Sequence, residues 1–219
     1  MQKIMFNDRY GLTDAVIEGR KIMTRRLIDP MPKDCATVHK NCWGANWSDE
    51  PMSLVVDRDT GGIYCKYCGN GVRLHDGGYH YKTKYEVGEV VAVAQSYEAA
   101  GFDPGYCIEG GQFAQKHAGW HNKMFVKPAL MSHRIRITGI KCERLQDISD
   151  EDCFREGISE SWYESTDTTT YGYADEKKGT AVEFDTPRKA FAALIDKVSG
   201  RGTWASNPWV VVYEFELVK

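Results

Sequence analysis

Helix and strand signals follow one another in this sequence without a repeating order, and that order most limits the fold. One segment has a strong helical pattern: Asp185-Thr186-Pro187 supplies a start, Phe191, Leu194, Ile195 and Val198 share one face, and Gly200 supplies a stop. Two shorter segments read as helices. Residues 8–19 place Leu12, Val16 and Ile17 near helical spacing before Gly19, and in residues 149–157 Ser149 is a good N-cap, acids fill the first turn and Gly157 ends it. Strand signals are more numerous. Val90-Val91-Ala92-Val93-Ala94 follows a turn, Arg134 to Ile140 alternates Ile135 and Ile137 with Arg136 and Thr138, and Val210 to Leu217 is a strong strand. Leu54-Val55-Val56 and Ile63-Tyr64, joined by a polar turn, predict a β-hairpin. Few helices among several strands in irregular order favour an α+β class with a mixed or barrel-like sheet over a doubly wound fold. Residues 99–122 read as a Gly-rich surface loop, and residues 164–181, rich in Thr, Asp, Gly and Lys, as a mobile loop.

The length sets the scale of that fold. At 219 residues the chain reads as one domain, 1–219, with room for an insertion. A chain of this size buries roughly 70% of its unfolded surface and needs no disulfides to hold a core. No apolar run approaches the ~20 residues of a membrane span, so no membrane association is expected. The segment Met1-Gln2-Lys3-Ile4-Met5-Phe6-Asn7-Asp8 has no apolar stretch of the length an export signal needs, which predicts a cytoplasmic protein. Its 28 basic and 31 acidic side chains give a net charge of −3, which argues against a generic polyanion binder and leaves room for a local basic cleft.

Seven cysteines is an odd number, and without an export signal they do not read as a disulfide framework. Four of them, Cys35, Cys42, Cys65 and Cys68, fall within residues 35–68. Cys65-Lys66-Tyr67-Cys68-Gly69 has the spacing that lets two thiolates face one tetrahedral ion, and His39-Lys40-Asn41-Cys42 repeats that spacing. The predicted site is therefore zinc held by His39, Cys42, Cys65 and Cys68, with Cys35 as the alternative to His39. Four protein ligands leave no open position, so the zinc would be structural. Residues 33–82 would then form a small zinc-ribbon-like insertion. The plainer alternative is a set of unpaired cysteines on a surface loop.

A second cluster is basic: Gly19-Arg20-Lys21-Ile22-Met23-Thr24-Arg25-Arg26. A lysine desolvated beside arginines loses its proton more easily, and a neutral lysine can act as base toward a threonine hydroxyl. By spacing alone this is a weak signal, equally satisfied by a solvated basic turn.

The same octapeptide resembles the "GRKTxTRR" signature of the ASCH family, within the PUA-like superfamily. Further segments agree in order. Val87-Gly88-Glu89-Val90-Val91-Ala92-Val93 is similar to that family's "PGD" strand. Ser132-His133-Arg134-Ile135 is similar to its "SRI" strand entry. Glu143-Arg144-Leu145-Gln146-Asp147-Ile148-Ser149 with Glu156-Gly157-Ile158 resembles "ERLQDIS…EGI", and Gly202 to Val210 resembles a stretch of the phage-type branch. Residues 33–82 and 99–122 lie outside the match.

The resemblance implies a small PUA-like mixed β-barrel with flanking helices and a cleft for RNA or a nucleoside or nucleotide. It also implies a possible chemistry, because some small ASCH proteins are amidohydrolases that deacetylate acetylcytidine with a lysine, a threonine and a glutamate. Those positions fall on Lys21, Thr24 and Glu156 here. Binding positions would be Arg20, Lys21, Arg25, Arg26, Arg134, Trp204 and Asn207. Trp204 has a packing role as its alternative, and Glu156 an exposed place at a helix end. The chain departs from the pattern at Ala94-Gln95-Ser96-Tyr97, where phage-type members usually carry a glutamate. Two functions of different class therefore follow: a non-catalytic nucleic-acid or nucleoside-binding module, and an amidohydrolase acting on a modified nucleoside.

Overall fold

A computed structural model describes residues 1–28, 54–57, 59–65, 82–108 and 110–218. Its centre is a five-stranded sheet. The strands are β1 (Lys3–Ile4), β2 (Met23–Leu27), β5 (Val90–Val93), β8 (Arg134–Arg144) and β12 (Trp209–Val218), in the order β1-β5-β8-β12-β2. β1 runs parallel to β5 and every other pair is antiparallel. The β-branched runs predicted as strands supply its buried positions, with Val91, Val93, Ile135, Ile137 and Val210 to Val212 all in the main core.

The sheet is rolled. Flat, its outer strands β1 and β2 would stand about 19 Å apart, four strand spacings. Instead Arg26 in β2 donates to the carbonyl of Met5, one residue after β1, and Phe6 packs against Phe215 with ring centroids 5.8 Å apart. Among the described residues no strand pairing closes this roll into a barrel. The fold is α+β, sheet-rich, with few helices.

Four α-helices flank the sheet among the described residues: α1 (Leu12–Ile17), α2 (Asp150–Arg155), α3 (Pro187–Ser199) and α4 (Thr203–Ser206). The predicted cap is present, Ser149 Oγ accepting from Asp152 N, and at the predicted helix start Thr186 Oγ1 accepts from Lys189 N. Phe191, Leu194 and Ile195 of α3 are buried in the main core. The predicted hairpin forms as β3 (Leu54–Val56) and β4 (Ile63–Cys65), and its Leu54 and Ile63 belong to that same core.

Two segments differ from expectation. Residues 164–181 are no mobile loop: they contribute to a three-stranded antiparallel sheet of β9 (Ser159–Tyr163), β10 (Thr168–Asp175) and β11 (Thr180–Phe184). Their polar composition reflects one solvated face, while Tyr173 is buried against Tyr10 and Phe184. Residues 99–122 do not merely cross the surface. They form a short hairpin, β6 (Cys107–Ile108) with β7 (Gln112–Phe113), and close a second core around Tyr97, Ile108, Ala114, Trp120, Val126 and Met131.

Candidate functional site

A cavity of about 300 Å³ opens where the two edges of the rolled sheet approach each other. Phe6 and Asn7 beyond β1 form one side, Thr24 to Leu27 of β2 another, and Leu194, Ile195 and Val198 of α3 a third. Lys21 and Glu156 also line it.

Local structure brings these residues together. α1 ends before Gly19, whose positive φ of 76° turns the chain toward α2. There Ile22 N donates to the carbonyl of Arg155 at 3.0 Å and Lys21 Nζ to that of Glu156 at 2.7 Å, satisfying two carbonyls that a helix end leaves open. Gly157 then reverses the backbone at φ 102°, a conformation that an L side chain rarely adopts. The outcome is that Glu156 is buried, not exposed at a helix end.

The buried charges form one network. Lys21 Nζ lies 2.6 Å from Glu156 Oε2. Arg25 Nη1 reaches Glu156 Oε1 at 3.1 Å, while Arg25 Nη2 reaches Glu143 Oε1 at 2.6 Å and Asp152 Oδ2 at 2.8 Å. The Arg25 side chain is 0% exposed, so its three carboxylate partners are what allow its burial. Outside this hub, Lys141 reaches Glu143 at 2.8 Å and Arg155 reaches Asp152 at 3.2 Å.

These contacts shift the titrations. Burial pushes the Lys21 amine below the usual lysine range, Arg26 and Arg25 add to the effect, and Glu156 only partly opposes it. Burial pushes Asp152 up, but the hydrogen bond and charge of Arg25, with Lys141 and Arg155, hold it below the usual carboxylate range. Arg25 is disfavoured by burial, yet Glu156 and Glu143 raise its pKa above the ordinary value.

Thr24 is buried and lines the cavity, and among the described residues nothing hydrogen-bonds its hydroxyl. Lys21 and Thr24 are not hydrogen-bonded to each other. The ammonium of Lys21 gives two N–H groups to Glu156 and has a third unspent among the described residues.

The remaining candidate residues scatter. Arg20 is exposed and pairs with Glu18 at 2.5 Å. Arg134 and Arg136 are both exposed, as strand alternation requires, and Arg134 does not line the cavity. Trp204 packs edge-on against Phe191 with Arg188 over its ring, and Asn207 accepts from Gln146 N at 2.8 Å, so both brace the entry to β12. Gln95 bonds His133 at 2.9 Å and stands outside the cavity. Glu143 and Asp152 went unrecognised as site residues in the sequence. A lone acid in the alternating strand 134–144 was the available signal for Glu143.

His39, Cys42, Cys68 and Cys35 lie outside the described residues, and of Cys65 only the backbone in β4 is described. Among the described residues no group of three or more His, Cys, Asp or Glu could hold a metal, and no helix is long and apolar enough to cross a membrane.

The chain matches no protein-family model, no curated protein and no solved structure.

Proposed function

We propose that this chain is an ASCH-type, PUA-like protein that binds a nucleoside or nucleotide, free or as an RNA residue, in the cavity around Lys21. The observation that carries the reading is convergence: Lys21, Thr24 and Glu156, spread over 135 sequence positions, line one cavity of about 300 Å³. A volume at the lower end of ligand pockets suits a single nucleoside. The rolled sheet supports a PUA-like open barrel, and zinc held by His39 (or Cys35), Cys42, Cys65 and Cys68 remains part of the proposal as a structural element.

The same convergence favours hydrolysis of an acylated amine as a second reading. Lys21 Nζ donates to Glu156 Oε2 at 2.6 Å. Burial, with Arg26 and Arg25, favours the neutral Lys21 amine, which takes the Thr24 proton as Thr24 Oγ1 attacks the acyl carbon. The carbon–nitrogen bond breaks as that proton passes from Lys21, through Glu156, to the leaving amine. Water then cleaves the acyl-threonine ester. The Lys21–Thr24 hydrogen bond would form with substrate in place, as catalytic contacts often do.

Incubation with acetylcytidine tests both readings. Wild type is expected to bind it and release acetate, and Thr24→Ala to bind without release. Binding without release from wild type would leave the module and remove the enzyme. The absence of both binding and release would sink the proposal.

A further inference from the structure

The three arginines of the basic turn are not equivalent. Arg20 faces solvent and pairs with Glu18. Arg25 is spent on Glu143, Asp152 and Glu156. Arg26 is half-buried and lines the cavity, and among the described residues no carboxylate lies within ion-pairing distance of it. One of its five N–H donors reaches the carbonyl of Met5. Its Cζ stands 5.6 Å from the centroid of the Phe6 ring, which also has Lys21 Nζ at 5.8 Å.

The ion pairs single out the same residue. The three carboxylates of the hub are shared by Lys21, Arg25, Lys141 and Arg155, and Arg155 also reaches Glu214 at 3.8 Å. Of the three cations that line the cavity, Arg26 alone has no carboxylate partner among the described residues. Its fork is pre-set by the Phe6 ring and the Met5 carbonyl, so less side-chain entropy is lost when a further acceptor binds. A planar fork with unspent donors matches a phosphate in two-point contact. Beside it, Leu194, Ile195 and Val198 of α3 offer an apolar wall.

We propose that Arg26 is an anion anchor and that the ligand is a nucleoside monophosphate, its phosphate on the Arg26 fork and its base and sugar toward the wall of α3. The nucleoside part rests on the function proposed above, whereas the anion site stands on Arg26 alone. A cavity of about 300 Å³ holds one nucleotide and not a length of polymer.

Calorimetric titration with cytidine, cytidine 5′-monophosphate and their acetylated forms, at constant ionic strength, tests the anchor. The monophosphate is expected to bind about tenfold or more tighter than the nucleoside. Arg26→Gln should erase that preference, so that cytidine and its monophosphate bind alike, and a circular dichroism spectrum like that of wild type shows that the variant is folded. Arg26→Lys should recover only part of it, and the exposed Arg136→Gln should change nothing. Equal binding of nucleoside and nucleotide, or a preference that survives Arg26→Gln, overturns the proposal. A second probe, inorganic phosphate read on the Arg26 Nε–H resonance, separates the two levels. A phosphate response without any nucleoside or nucleotide binding keeps the anchor and removes the nucleoside reading. Acetylcytidine binding unaided by phosphate keeps the reading and removes the anchor.

Discussion

Replacing Arg25 by methionine keeps most of the side-chain volume and removes the cation shared by Glu143, Asp152 and Glu156. Its contacts run from 2.6 to 3.1 Å, and the side chain is 0% exposed. Removing one partner of a buried ion pair costs about 3–5 kcal/mol, because the remaining charges stay buried without compensation. Here Glu143 keeps Lys141, Asp152 keeps Arg155 and Glu156 keeps Lys21, so the low end, about 3 kcal/mol, is expected. For a chain of this size that lowers Tm by about 6–12 °C. The pH dependence follows from Asp152, which sits below the usual carboxylate range despite its burial, chiefly through Arg25. A carboxyl with a depressed folded pKa contributes stability above its unfolded value of about 3.9, and loses it as the pH falls through the folded value. The variant lacks that contribution. Urea unfolding should therefore find the full gap between wild type and variant at pH 7, narrowing below about pH 4. Arg25→Lys, which keeps the charge but not the fork, should fall between them. A loss under about 1 kcal/mol at pH 7, or a gap that widens in acid, would refute the hub as a stabilising centre.

Glu156→Gln should destabilise more than Lys21→Met, since Arg25 still compensates Glu156 in the latter while the former strands a buried ammonium. Lys21 already titrates below the usual lysine range through burial. Its penalty is full below the folded pKa and is relieved as pH rises toward the unfolded value of about 10.4, so the Glu156→Gln deficit should shrink in thermal scans from pH 7 to about 10. Burial pushes the Cys142 and Cys153 thiols up to about 12, whereas Cys107 is exposed. Maleimide mapping at neutral pH should label Cys107 in the native protein, and Cys142 and Cys153 only after unfolding. Metal analysis of purified protein should find about one zinc per chain, and a stable metal-free protein would remove the zinc site.

Local signals carried the elements whose pattern is set by near neighbours. The helix from Pro187, the cap at Ser149, the hairpin of Leu54 to Val56 with Ile63 and Tyr64, and the strands at 90, 134 and 210 all follow from periodicity and turn chemistry. The same rules missed β10 and β11, because a sheet with one wet face can be built from Thr, Asp, Gly and Lys. The inward aromatic Tyr173 finds its partners Tyr10 and Phe184 only after the chain has folded. The small core around Trp120 escaped for a similar reason, its apolar residues being spaced by irregular backbone.

At the site, the sequence by itself determined a cluster of cations at 20–26, and the placing of Lys21, Thr24 and Glu156 together was an expectation from resemblance alone. The sequence could not distinguish one arginine from the next, because adjacent residues in a strand point to opposite faces and their partners come from distant segments. Tertiary structure decided that Arg20 is solvated, that Arg25 is neutralised by carboxylates more than a hundred residues away, and that Arg26 keeps unspent donors on a cavity. The rolling of the sheet made that difference. It brought the segment after β1 against β2 and turned an edge strand into the wall of a pocket.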